Sequence, residues 1–191
     1  MINYKIIVGV VAIVVVVAVI AVCFLVQGET PTTMLSTKDP ADVVLKTSDF
    51  PADYSTLGEK YFTPDNWVLN IPYSTMEGWG YQTGLGRVLK NTSDPNKAAF
   101  SAAFRFSSAE GAENAYDALV EILDNYGIGV PPPSIVVPHS TIGDQSLIKW
   151  ISEKNKHSGI SKKQNFVVMF ESYYFSDSEV INYLQIIAGR I

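Results

Sequence analysis

Cysteine is almost missing from this 191-residue chain: Cys23 is the only one, so no intramolecular disulfide can form and the fold must hold by its core. Histidine occurs twice, at His139 and His157, in no H-x-x-x-H or H-E-x-x-H spacing, so no metal-ligand motif is present. A basic excess is missing too. Leaving out Lys5, 13 Lys+Arg face 19 Asp+Glu, which argues against nucleic acid as a partner. There is no G-x-S-x-G and no S-x-x-K, and the lone Cys lies in an apolar run. Gly84-Leu85-Gly86 lacks the third glycine and the following helix of a dinucleotide fingerprint, so a strand bulge is the expectation. His139, Ser140 and Asp144 have the residue types of a hydrolytic triad. They stand so close in sequence that a loop with local hydrogen bonds is expected instead. The chain is therefore expected to carry no catalytic residue, no metal and no cofactor, and not to be an enzyme.

What is present in excess is apolar. Ile6 to Val26 is an unbroken run of 21 apolar or small residues with no charge. As a helix it spans about 31 Å, close to the hydrocarbon thickness of a bilayer. Its many Val residues disfavour a helix in water, but in lipid a spanning segment must satisfy its own backbone. Three readings address it. A signal peptide has a shorter apolar core, and its cut would fall inside this run or after Gly28. A lipoprotein signal would acylate Cys23, but Ile20-Ala21-Val22-Cys23 fits that pattern poorly, and the apolar Phe24-Leu25-Val26 follows directly where a polar tether is normal. An uncleaved signal-anchor fits the length. Lys5 precedes the run and Glu29 is the first charge after it, so the amino terminus is expected in the cytoplasm and the domain outside, in a single pass of the cell membrane.

The expected organisation is a cytoplasmic stub at 1–5, a transmembrane helix at 6–26, a tether at 27–45 and an extracytoplasmic domain at 46–191. Asp39-Pro40 has the N-cap and first-turn chemistry of a short helix carrying Val43, Val44 and Leu45. Tyr54 to Tyr73 looks irregular, with an edge strand suggested at Trp67 to Ile71. Gly80 to Asn91 is expected as a strand. Ala98 to Phe106 alternates, with Phe100, Ala102, Phe104 and Phe106 on one face. Ser107 and Glu110 are spaced as a capping box, and Ala112, Tyr116, Leu119 and Leu123 follow as a helical stripe. Ile135 to Val137, Ser146 to Ser152 and Gln164 to Phe175 are further strands. Ser176 and Glu179 form a second box before Val180, Leu184, Ile187 and Ile191. The two strand-to-helix junctions reflect either a duplicated β–β–α unit or convergent capping. The fold class expected is α+β: a largely antiparallel sheet with two amphipathic helices on one face, preceded by one N-terminal transmembrane helix.

Polar clusters have ordinary readings. Glu113, Asp117 and Glu121 make an acidic i, i+4 ladder expected to face water. Lys154, Lys156, His157, Lys162 and Lys163 crowd the segment Glu153 to Asn165, expected as a hairpin tip turning at Ser158-Gly159. The alternative there is contact with anionic headgroups. Asn91-Thr92-Ser93 is a glycosylation sequon in a turn. Aromatics with polar tips suit recognition surfaces, and Trp67, Trp79 and Tyr81 crowd one early stretch. These three are the candidate ligand-binding residues.

Asp49-Phe50-Pro51-Ala52-Asp53-Tyr54, Phe106-Ser107-Ser108-Ala109-Glu110 and Ile142-Gly143-Asp144-Gln145-Ser146 form an opening turn, a strand-to-helix cap and a turn into paired strands. In these segments, and in layout over residues 48–191, the chain resembles poorly characterised extracytoplasmic domains of prokaryotic membrane-anchored proteins and lipoproteins. The resemblance implies a cell-surface or periplasm-like setting and a non-catalytic accessory, sensing or binding role, and it transfers no catalytic residue. The function expected is a membrane-anchored binding or sensing module for an unknown protein or small molecule. The alternative is a structural subunit of a membrane or surface assembly, of which a pilin-like filament is a special case without the expected acidic residue and cleavage motif.

Overall fold

The computed structural model describes residues 35–125, 134–135, 142–151 and 155–191. The expected membrane helix, Cys23, His139, Ser140 and Lys154 lie outside them. Among the described residues no helix is long and apolar enough to cross a membrane. The elements are α1 (Pro40–Val43), β1 (Tyr54–Tyr61), α2 (Tyr73–Gly78), β2 (Tyr81–Asn91), β3 (Ala98–Phe106), α3 (Ala109–Asn125), β4 (Ser134–Ile135), β5 (Gln145–Ile151), β6 (Lys156–Lys163), β7 (Phe166–Tyr173) and α4 (Asp177–Arg190). Short 3₁₀ turns at Thr47–Asp49 and Pro64–Asn66 flank β1.

The strands form one sheet in the order β1-β2-β3-β7-β6-β5-β4, and every neighbouring pair is antiparallel. The α+β class with an antiparallel sheet is therefore as expected. The placement of the helices is not. α4 packs Val180, Leu184 and Ile187 with Ala99, Ala103, Val168 and Phe170. α3 packs Ala112, Ala115 and Leu119 with Ala102, Phe104, Phe106 and Val167. Those strand residues alternate along β3 and β7, so the two long helices cover opposite faces, not one. The physical reason is visible in β7. Phe166-Val167-Val168-Met169-Phe170 is continuously apolar, a pattern that demands cover on both sides.

This geometry also decides between duplication and convergence. β3 and β7 are antiparallel neighbours, so repeated β–β–α units would be related by a two-fold axis normal to the sheet, with both helices on one face. They lie on opposite faces, which favours convergent capping. The caps themselves differ. Ser176 accepts from Glu179 N–H in a full capping box. At α3 the Gly111 N–H bonds Ser108 Oγ at 3.0 Å, so the cap sits one residue later than Ser107.

Other local expectations are revised. Tyr54–Tyr61 is a strand, not irregular. It is an edge strand whose side chains are largely exposed, so it carries no apolar alternation to read. Trp67 to Ile71 is not a strand but a bend between a 3₁₀ turn and α2, with Ile71 buried. Gly84 and Gly86 admit rings: a Cβ on Gly86 would lie 2.7 Å from Phe62, and one on Gly84 2.9 Å from Phe104. The irregularity in β2 sits earlier, between Tyr81 and Thr83. Residues 156–163 form an inner strand rather than a hairpin tip. Its polar side chains reach partners above and below the sheet: Lys156 to Glu171, His157 to Asp177, Lys162 to Glu113, and Lys163 to the Ala188 carbonyl.

The compact unit begins at Leu35, earlier than the composition suggested. α1 forms as expected, with Asp39 capping Ala41 N–H. Val43, Val44 and Leu45 are fully buried, so they belong to the packed domain and not to a tether. The segment before them is held as well. Asn165 accepts from Ser36 N–H at 2.9 Å and donates to the Ser36 and Phe106 carbonyls. Arg105 donates to the Thr37 and Lys38 carbonyls. Arg87, 8% exposed, ties the Leu45 carbonyl to Glu59.

Candidate functional site

Two of the three aromatic candidates meet. The Trp67 ring lies edge-on to Tyr81 with centroids 5.5 Å apart, and edge-on to Tyr73 at 5.1 Å. Their polar tips are satisfied inside the protein: Trp67 Nε1–H donates to the Ile71 carbonyl and Tyr81 O–H to the Phe62 carbonyl. Tyr81 is buried, and that burial, with Tyr73 beside it, pushes its hydroxyl pKa well up. Trp79 packs half-buried against the same core from the turn after α2. Tyr81 belongs to the buried core, Trp67, Tyr73 and Trp79 pack partly buried against it, and Phe62 and Phe104 of the same core stack at 5.3 Å.

Open space lies beside them. A cleft of about 230 Å³ opens where the 67–71 bend, α3 and the β6–β7 ribbon converge. Val68 and Leu69 form one wall; Leu119 and Leu123, both on the helical stripe of α3, form the other with Ile122. Ile160 and Met169, cross-strand partners, contribute apolar floor. The same side of the sheet carries Lys156, Ser158 and Glu171 into the lining, each two residues from its neighbour along the strand. Lys156 Nζ contacts Glu171 Oε1 at 2.7 Å, with side chains 16% and 31% exposed. Ser158 Oγ approaches the same Oε1 at 3.5 Å, and Lys156 Nζ stands 5.8 Å from the Tyr173 ring centroid. Apolar walls with a few converging polar groups are the usual make-up of a small-molecule site.

Farther along β6, on the same face, Glu113 of α3 accepts from Lys162 Nζ and from Gln145 Nε2, the latter at 2.6 Å. The Lys162 bond, against the opposing cost of burial, holds the Glu113 carboxyl below its ordinary pKa. This end of the acidic ladder therefore braces α3 to the sheet instead of facing water. Tyr116, on the same helix, is pushed up to about 12 by burial and by nearby Asp117 and Glu113.

His157 is 1% exposed on the opposite sheet face, where Nε2 pairs with Asp177 Oδ1 at 2.7 Å. No group of three or more metal-ligating side chains occurs among the described residues. Asn91 of the sequon is 7% exposed and its amide donates to Asp53 Oδ2 at 2.9 Å. Its side-chain oxygen accepts from Ser93 and Asp94 N–H, so the residue serves as a turn brace.

The aromatic content of the sequence points to the 67–81 stretch and away from Lys156, Ser158, Met169 and Glu171. The signal of these four is the period of two in Lys156-x-Ser158-x-Ile160 and Met169-x-Glu171, hidden once the lysines are assigned to a loop.

No family model matches the chain, and no curated protein matches it. Among solved structures, the extracellular domain of PknH from Mycobacterium tuberculosis is similar over 82% of this chain and 96% of that domain, with 13% identity and a TM-score of 0.48.

Proposed function

We propose that the chain is a membrane-anchored, outward-facing binding or sensing module, non-catalytic, that takes its ligand in the cleft between α3 and β6–β7. The observation that carries the reading is the cleft itself: a cavity walled by Val68, Leu69, Leu119 and Ile122, with a Lys156–Glu171 pair set into an apolar surface. Side chains that merely solubilise a surface do not line concave apolar space. The anchoring rests on the sequence of Ile6 to Val26, and the outward orientation on Lys5 against Glu29.

Two measurements on the full chain test it. Xenon, which needs only an apolar space, should shift the methyl NMR signals of Leu119, Ile122, Ile160 and Met169 ahead of other methyls. Absence of a site-specific shift would remove the cleft. A Leu57→Cys chain with Cys23→Ser, probed on intact cells, should react with a membrane-impermeant maleimide, since Leu57 is 69% exposed. Labelling only after lysis would overturn the orientation.

A further inference from the structure

The same cleft constrains the chemistry of what it takes, an inference that rests on the binding reading above. Its polar groups form an already neutralised set. Lys156 Nζ and Ser158 Oγ both approach Glu171 Oε1, and no described side chain bonds Glu171 Oε2. Among the described residues the other walls add no charge: α3 presents Leu119, Ile122 and Leu123, and the bend presents Val68, Leu69 and Asn70. A carboxylate or phosphate entering here would find Lys156 already paired and a carboxylate beside it. A buried charge without its own counter-ion is strongly disfavoured. A hydroxyl or amide N–H, in contrast, can donate to Oε2 without disturbing the Lys156 contact. Charge-assisted bonds of this kind are about twice as strong as neutral ones.

We infer that the cleft binds a small uncharged molecule with an apolar body and one hydrogen-bond donor, a hydroxyl or an amide, seated on Glu171 Oε2. A cation would leave the site with a net positive charge between apolar walls, and an anion with a net negative one. The neutral donor alone keeps the pair balanced.

The test uses the full chain in lipid nanodiscs, because a detergent is itself an amphiphile, and maps methyl shifts with three probes of one shape: 1-butanol, butyrate and butylammonium. Butanol should shift the Leu119, Ile122 and Met169 methyls at concentrations about tenfold lower than either ion, the effect expected for one charge-assisted bond against an unpaired charge. In Glu171→Gln, butanol should weaken by a similar factor while butyrate gains, because Lys156 is released. Xenon binding should be unchanged in that variant, which shows that the cleft survives. Equal or tighter binding of either ion by the unaltered chain overturns the ligand class but leaves the cleft reading standing if xenon binds. Failure of xenon and of all three probes overturns both.

Discussion

Replacing Gly111 by alanine should destabilise the domain, although alanine is the better helix former by about 1 kcal/mol. Gly111 lies in the first turn of α3, where the chain after α2 passes close by. A Cβ at this position would stand 1.9 Å from the Trp79 carbonyl oxygen and 3.1 Å from its carbon. Both are backbone atoms, so no rotamer change relieves the overlap, and one segment must retreat by roughly an ångström. Two bonds oppose that retreat: Ser107 N–H to the Gly80 carbonyl at 2.8 Å, and the capping bond from Gly111 N–H to Ser108 Oγ. Overpacking of about 1–3 kcal/mol and loss of about 1 kcal/mol of capping, less the propensity gain, leave a net loss of about 1–3 kcal/mol. For a domain of this size that lowers Tm by about 2–12 °C. Gly189 is the internal control. It lies in α4, where an added Cβ would meet nothing within 4 Å, so Gly189→Ala should be neutral or raise stability by about 0.5 kcal/mol. Thermal melts followed by tryptophan fluorescence measure both. An unchanged or higher Tm for Gly111→Ala would refute the close approach of the α2–β2 turn to α3.

Three further outcomes follow from the packing. Phe104→Ala removes a fully buried ring stacked on Phe62 and should cost about 3–5 kcal/mol, read from the same melts. Asn165→Ala unclasps Ser36 and leaves the buried Phe106 carbonyl short of a donor. It should cost about 1–3 kcal/mol and speed amide exchange at Ser36, which hydrogen exchange reports. The Glu113–Lys162 brace has a signed pH dependence. Because the folded carboxyl has the lowered pKa, its stabilisation is full above the ordinary glutamate value of about 4.3 and is lost as pH falls through the folded value. Glu113→Gln should therefore reduce Tm at neutral pH and flatten its acid slope.

Local chemistry made much of the sheet legible. The alternation in Ala98–Phe106, the Asp39-Pro40 cap and the Ser176–Glu179 box each specify their element through contacts within a few residues. Edge strand β1 escaped because its partner is the backbone of β2, and backbone pairing leaves no side-chain period when both faces are wet. β6 escaped for the opposite reason. Its lysines mimic a solvated turn, while their partners, Glu171, Glu113 and the Ala188 carbonyl, come from elements far along the chain. The same long-range pairing hid the cleft. Aromatic content singles out Trp67, Trp79 and Tyr81, and the fold packs those rings in or against the core beside the open space. Helix placement was readable in principle, since the unbroken apolar run of β7 requires two covered faces.

Native mass spectrometry of the full chain, carried in nanodiscs formed directly from the membranes in which it is made, tests the binding claim most directly. Val68 is 63% exposed at the cleft wall, so Val68→Trp can cover the opening without disturbing the core. A small uncharged molecule should be retained by the unaltered chain and lost from Val68→Trp. A chain that carries no such molecule, or one that Val68→Trp retains equally, would contradict it.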